Sequence, residues 1–171
     1  MPSPSHPLKK AKILSIDPGF KYFGFAILDD SEVLSAGLSK TKVGAWATKS
    51  RQPPSFLALL DVVQAYEWES RHAVIEFPRV HRDTPNNDSI VKLAAACGAY
   101  TALLETQDFT IEWVEPREWK GMVPKDIMYK RIIAKLNTEE YSRIDKPQDH
   151  NVIDAVGIGL WQIRKTRPNN S

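Results

Sequence analysis

The chain carries one cysteine, Cys97, in 171 residues. That excludes an internal disulfide and fits a reducing compartment, so a cytoplasmic protein is expected, bacterial or phage-encoded and acting in a host. Within Leu93-Ala94-Ala95-Ala96-Cys97-Gly98 the thiol reads as small core filler. No apolar run approaches the ~20 residues that cross a bilayer. The opening Met1-Pro2-Ser3-Pro4-Ser5-His6-Pro7 also lacks the apolar block of a signal peptide. No membrane partner is expected. The net charge of +2 is too small to mark a nucleic-acid-binding protein by itself. No internal repeat is visible, and no second Gly-rich phosphate loop accompanies Asp17-Pro18-Gly19, which weighs against an actin-like nucleotide-binding module.

What is present suits one globular domain. A hydrophobic fraction of 42% and a charged fraction of 26% are ordinary values, and a chain of this length buries roughly 70% of its unfolded surface. Residues 1–11 read as a flexible Pro/Ser-rich arm, 12–165 as a single domain, and 166–171 as a disordered tail. The basic residues cluster: Lys9, Lys10 and Lys12 before the first strand, Lys120, Lys125, Lys130, Arg131 and Lys135 in one region, and Arg164, Lys165 and Arg167 at the end. Local basic patches suit a polyanion, although solvated helix faces have the same composition.

Apolar runs at 12–17, 22–28 and 33–38 predict three strands joined by short turns, an antiparallel meander. A polar stretch at 40–54 follows, then Ser55 as cap of a helix with Phe56, Leu59, Leu60 and Val63 on one face. His72 to Glu76 is a short buried strand stopped by Phe77-Pro78, and 79–87 is a polar, basic loop. Asn87 or Asp88 caps a helix whose Ile90, Leu93, Ala94, Cys97, Thr101 and Leu104 share a side. A strand at 110–114, a break at Pro116, a basic helix near 125–136 and a last helix near 151–165 complete the chain. This order predicts an α/β protein with a mixed five-stranded sheet flanked by helices.

Three acids end or open elements that otherwise read as core: Asp17, Glu76 and Asp154. Ionised carboxylates in such places cost several kcal/mol unless compensated, and a bound cation is a common compensation. If the first and fourth strands are neighbours, Asp17 and Glu76 emerge at one sheet edge, where open α/β sheets place ligands. On a helix at ~100° per residue, His150 and Asn151 fall ~40° and ~60° from Asp154, so either can face the same ion, whereas Asp149 falls ~140° away. Oxygen-rich sets of this kind suit Mg²⁺ or Mn²⁺. Each residue also has a plainer role: Asp17 in a turn, Glu76 in a salt bridge, His150 or Asn151 as a cap, Asp154 as a first-turn acid.

The order of these motifs resembles the RuvC-type Holliday junction resolvases of the ribonuclease H-like superfamily. Ile13-Leu14-Ser15-Ile16-Asp17-Pro18-Gly19 with Gly24-Phe25-Ala26-Ile27 is similar to the family's first motif, and Ile75-Glu76 to its second acid. Asn87 to Ala94 with Cys97-Gly98 resembles the helix that packs the family's homodimer, and Asp154-Ala155-Val156-Gly157-Ile158-Gly159-Leu160 the terminal motif. The likeness runs from about residue 12 to 162. The resemblance implies a ribonuclease H-like fold and a homodimeric endonuclease that cuts four-way DNA junctions with two Mg²⁺ or Mn²⁺ ions per active site. It implies Asp17, Glu76, Asp154 and His150 as metal ligands, with Asn151 competing because it holds the place where the family commonly has Asp or His. Lys125 is the expected active-site lysine and Lys120 the second choice. Phe77, Arg79 and Arg82 are expected to contact the junction, and Lys120 and Lys130 the DNA backbone. A related nuclease acting on flaps or structured RNA, or a non-catalytic junction-binding relative, fits the same motifs.

Overall fold

A computed structural model describes residues 10–19, 22–40, 56–78 and 87–167, with the backbone alone at 87 and 88. The meander forms as its apolar pattern predicts: β1 (Ala11–Asp17), β2 (Tyr22–Leu28) and β3 (Val33–Lys40) pair antiparallel. A short helix α1 (Ala58–Gln64) leads to β4 (Trp68–Glu76), which is four residues longer at its start than the apolar run suggests. Those extra residues are mostly exposed and polar, so period alone does not reveal them. The long helix α2 (Asn87–Glu105) precedes β5 (Thr110–Val114). Then come α3 (Pro116–Lys120), α4 (Lys125–Ile133), α5 (Thr138–Ser142) and α6 (His150–Thr166).

The sheet order is β3-β2-β1-β4-β5, with β1–β4 and β4–β5 parallel. This is the expected mixed sheet with an antiparallel flank. Its two faces are covered differently. Residues such as Ile13, Val74 and Val114 pack under α6 and α4, with Ile153, Val156 and Ile132. Leu14, Ile16 and Ile75 pack on the opposite face with Leu59, Cys97, Tyr100 and Leu104 of α1 and α2. Fully buried side chains of this size each contribute about 1.5–3 kcal/mol. Cys97 is buried, as expected of core filler. Burial, with the nearby Glu76 and Asp17 charges, pushes its thiol up to about 12.

Several expected boundaries move. Ala11, assigned to the arm, is a fully buried strand residue. At the other end α6 continues through Thr166, and the Arg167 guanidinium donates to the Asp30 carbonyl oxygen at 3.0 Å, so the domain extends past 165. Residues 116–120 are a helix, with Pro116 at its start and a Glu115–Glu118 capping box. The short α5 carries no long apolar stripe; its Asn137–Glu140 capping box holds it, and buried Glu140 ties it to the Val33 backbone N–H. The arm at 1–9, the polar stretch at 41–55 with Ser55, the loop at 79–86 and residues 168–171 lie outside the described residues. Among the described residues no helix is long and apolar enough to cross a membrane.

Candidate active site

Asp17 and Glu76 are the last residues of β1 and β4. The parallel register pairs Ile16 with Ile75, so the two acids follow side by side at one sheet edge. Alternation along both strands turns them to the α6 face, the side of Ile13 and Val74. Asp154 comes down onto that face from the first turns of α6, and Asp17 and Asp154 are only 9% and 5% exposed.

Two features of the chain let α6 dock so closely. Asp149 caps it, its Oδ1 accepting the Asn151 backbone N–H at 2.9 Å. Gly24, which pairs with Asp17 across β1 and β2, has no side chain where the helix crosses. A Cβ there would lie 2.0 Å from the Asn151 carbonyl oxygen. The helix start therefore rests on the backbone of β2 beside Asp17.

The third wall is α3. Trp119 is buried, and its indole N–H donates to Glu76 Oε2 at 2.6 Å. Lys120 Nζ stands 3.5 Å from Glu76 Oε2 and 3.5 Å from Asp154 Oδ2, so these carboxylates are no further apart than twice that distance. Trp119 reaches this position because Gly157 of α6 leaves room: a Cβ there would lie 2.7 Å from its ring.

The electrostatics are those of a site short of positive charge. Burial holds the Asp17 carboxyl well above the usual carboxylate range, and the charges of Glu76 and Asp154 push it further. Lys120 and Lys125 pull the other way. Glu76 is raised by burial and by Asp154, against Lys120 and the Trp119 N–H. Three hard oxygen donors with unrelieved negative charge have the chemistry of a Mg²⁺ or Mn²⁺ site. In this arrangement, among the described residues, no group of three His, Cys, Asp or Glu side chains is set to hold one ion. The Lys120 ammonium stands between two of the carboxylates instead.

The other expected residues are distributed around this centre. Lys125, at the start of α4, is exposed and acts on Asp17 only through its field. Lys120, the second choice in sequence, is the one in contact with the acids. His150 is exposed, its ring edge-on to Tyr129 with centroids 5.6 Å apart. Among the described residues no hydrogen bond or ion pair joins the His150 or Asn151 side chain to the three acids. Phe77 stacks on Trp113 at 4.5 Å, and Trp113 is 49% exposed. Lys130 is exposed on α4, while Arg79 and Arg82 lie outside the described residues.

Sequence reasoning missed the Trp119–Glu76 bond and the roles of Gly24 and Gly157. Trp119 reads as an ordinary buried aromatic, and nothing in Glu118-Trp119-Lys120 names a partner on a strand more than forty positions away.

Comparisons with known proteins agree with this architecture. The chain superimposes on RuvC of Thermus thermophilus in complex with Holliday junction substrate, with TM-score 0.60 and 18% identity, over 92% of this chain and 97% of that one. A second Thermus thermophilus RuvC structure gives 0.61 and 18%, over 87% and 91%. The yeast mitochondrial Holliday junction resolvase gives 0.50 and 17%, over 92% and 82%. No protein-family model matches the chain, and no curated protein matches it. At these identities the likeness establishes the fold: the chain has the ribonuclease H-like architecture of RuvC.

Proposed function

We propose that this protein is a metal-dependent endonuclease that resolves four-way DNA junctions by hydrolysing paired phosphodiester bonds. The observation that carries the reading is that Asp17, Glu76 and Asp154, from two strands and a helix, come within one another's electrostatic reach at one sheet edge, with Lys120 between Glu76 and Asp154. The RuvC-like fold supports the same reading, since one of the structures it resembles is in complex with Holliday junction substrate.

Asp17, Glu76 and Asp154 are the residues to hold Mg²⁺ or Mn²⁺, with His150 or Asn151 as a further ligand at the start of α6. Two such ions, when bound, activate a water and stabilise the leaving oxygen of an in-line displacement. Lys120, released from Glu76 and Asp154, offsets charge on the phosphate oxygens, and Lys125 adds to the field. Trp119 orients Glu76 through its N–H, and the closed packing of α6 on the sheet limits water around the acids.

A dimer belongs to the proposal, because a twofold pair of sites matches the near-twofold strands of a junction. Helix α2 offers the surface. Val91 is 67% exposed, and an open apolar groove of about 430 Å³ is lined by Phe56, Leu57, Ala99, Ala102 and Leu103. Gly98 lies exposed on the same helix with open space around it. Sedimentation should return twice the monomer mass.

Incubating the protein with a synthetic four-way junction, a flap and a folded RNA, each with Mg²⁺, Mn²⁺ or EDTA, tests the activity. Symmetric nicks in the junction that require metal are expected. Cutting of flap or RNA alone would reassign the substrate, and binding without cutting under every condition would leave a junction-binding relative.

A further inference from the structure

Trp119 and Lys120 also border a cavity of about 240 Å³, lined by residues of α4 and the second half of α6 and by none of the three acids. Among the described residues its wall carries four cations, Lys120, Arg131, Lys135 and Arg164, and no carboxylate. Lys120 is engaged with Glu76 and Asp154, but the other three form no ion pair with an acid among the described residues. Two of them, Arg131 and Lys135, are four residues apart, and the third, Arg164, comes from a different helix. Arg131 stands in the last turn of α4, Lys135 just beyond it, and Arg164 in the last turn of α6.

A cation near a helix C-terminus is favoured by the helix dipole, and that accounts for Arg131 and Arg164 singly. It does not account for three positive charges turned onto one concavity, where each raises the cost of the others. That mutual repulsion is felt: burial, then Arg164 and Arg131, press the Lys135 ammonium below its ordinary range. An anion in the cavity removes the penalty. Two guanidinium groups and an ammonium are the donors that bind tetrahedral oxyanions, with Arg able to grip two oxygens at once.

We propose that this cavity is a phosphate-binding site distinct from the carboxylate centre, Trp119 and Lys120 being common to both. The phosphate is that of a nucleic-acid strand whose neighbouring segment reaches the acids, or a free phosphate anion of the same chemistry. Only the assignment to a strand rests on the nuclease reading; the anion site rests on the cavity and its charges.

The test uses the full chain in two arms. In the first, inorganic phosphate and pyrophosphate are titrated calorimetrically, without metal, into wild type and into Arg131→Gln/Lys135→Gln/Arg164→Gln. In the second, Asp17→Asn protein binds a four-way junction in EDTA over a range of salt, with and without the cavity substitutions. Lys10→Gln/Lys40→Gln serves as a charge control outside the cavity. All these positions except Asp17 are exposed, and the single Lys135→Gln variant is carried in parallel should the triple variant fail to fold. Saturable anion binding lost in the cavity variants is expected. So is a junction affinity whose log–log salt slope is shallower by about 0.9 for each phosphate released, beyond any change in the control. Anion binding without a change in slope would assign the site to free phosphate and remove the strand. Cavity variants that match the control in both arms would overturn the site, whether or not the protein cuts junctions. Conversely, a protein that never cuts but loses anion binding in the variants would refute the nuclease and keep the site.

Discussion

Strand β4 and helix α6 each bring a polar residue to both ends of the sheet, and the two ends balance their charge in opposite ways. At one end Glu76 and Asp154 join Asp17, with the Lys120 ammonium as the cation in contact. At the other end His72 of β4 and Gln162 of α6 meet Glu112 of β5. Gln162 Nε2 donates to Glu112 Oε2 at 3.1 Å and lies 3.1 Å from His72 Nε2, while Lys165 closes an ion pair on the other oxygen of Glu112. Only Gln162 Oε1 is buried there without a partner among the described residues. One acid with a lysine, an amide and an imidazole is a balanced structural cluster. Three acids with one lysine in contact with two of them are not, and that imbalance is the electrostatic difference between the two ends.

The largest effect should separate the ends by activity. With Asp17 as a metal ligand, as proposed, its replacement removes several kcal/mol of transition-state stabilisation, so Asp17→Asn should cut junction cleavage by about a thousandfold or more while binding persists. Lys165→Ala at the other end should leave cleavage unchanged. Equal losses in both would erase the distinction.

Gly24→Ala comes next, since its methyl group would strike a backbone carbonyl rather than a pliable side chain. Strain of this kind costs about 1–3 kcal/mol, and both melting temperature and cleavage should fall because the start of α6 must lift from β2. A smaller change is expected of Trp119→Phe, which keeps the ring but removes the donor to Glu76. Loss of such an orienting partner typically costs 10–100-fold, by a rough measure, in metal affinity or activity. A metal titration of cleavage would show the shift.

pH sharpens the contrast further. A carboxyl whose pKa is higher folded than unfolded supports the fold at low pH and loses that support as pH rises through its folded value. Asp17 is of this kind, raised by burial and by its neighbouring acids. Without metal, Asp17→Asn should therefore melt higher than wild type at neutral pH, by about 2–4 °C for each kcal/mol relieved. The difference should close in acid near the ordinary carboxylate value of 3.8. His72 runs the other way. Burial lowers it from 6.5, so its contribution is present above that value and is lost as pH falls through its folded one. His72→Gln should flatten the acid side of the stability curve. Smallest of all, Lys165→Ala should change stability by no more than about 1 kcal/mol, because half-exposed ion pairs are weak.

How far the molecule was legible in advance differs by element. β2 lies where its apolar run places it, since a buried strand is apolar along most of its length, whereas β5 keeps the expected bounds with only Val114 buried. β4 is longer than its run because residues 68–71 extend the strand without being buried. Helix α2 buries Tyr100, three residues after Cys97 and four before Leu104, at the edge of the stripe read from Ile90 to Leu104. In the site, Asp17, Glu76 and Asp154 stand out because each is a charge in a core pattern. Lys120 and Lys125 do not differ in that way, and only contact ranks them.

The chain by itself determined the core of the five strands and of helices α1, α2, α4 and α6, and that Asp17, Glu76 and Asp154 interrupt apolar runs, because both follow from local periodicity and from the cost of charge in an apolar run; α3, α5 and buried Glu140 carry no such signal. Tertiary structure decided the rest: that β1 and β4 are parallel neighbours, that α6 settles on Gly24, that Trp119 and Lys120 meet the acids, and that Arg164 of α6 shares a cavity with Arg131 and Lys135. Those outcomes depend on distances between elements, which no spacing along the polypeptide encodes.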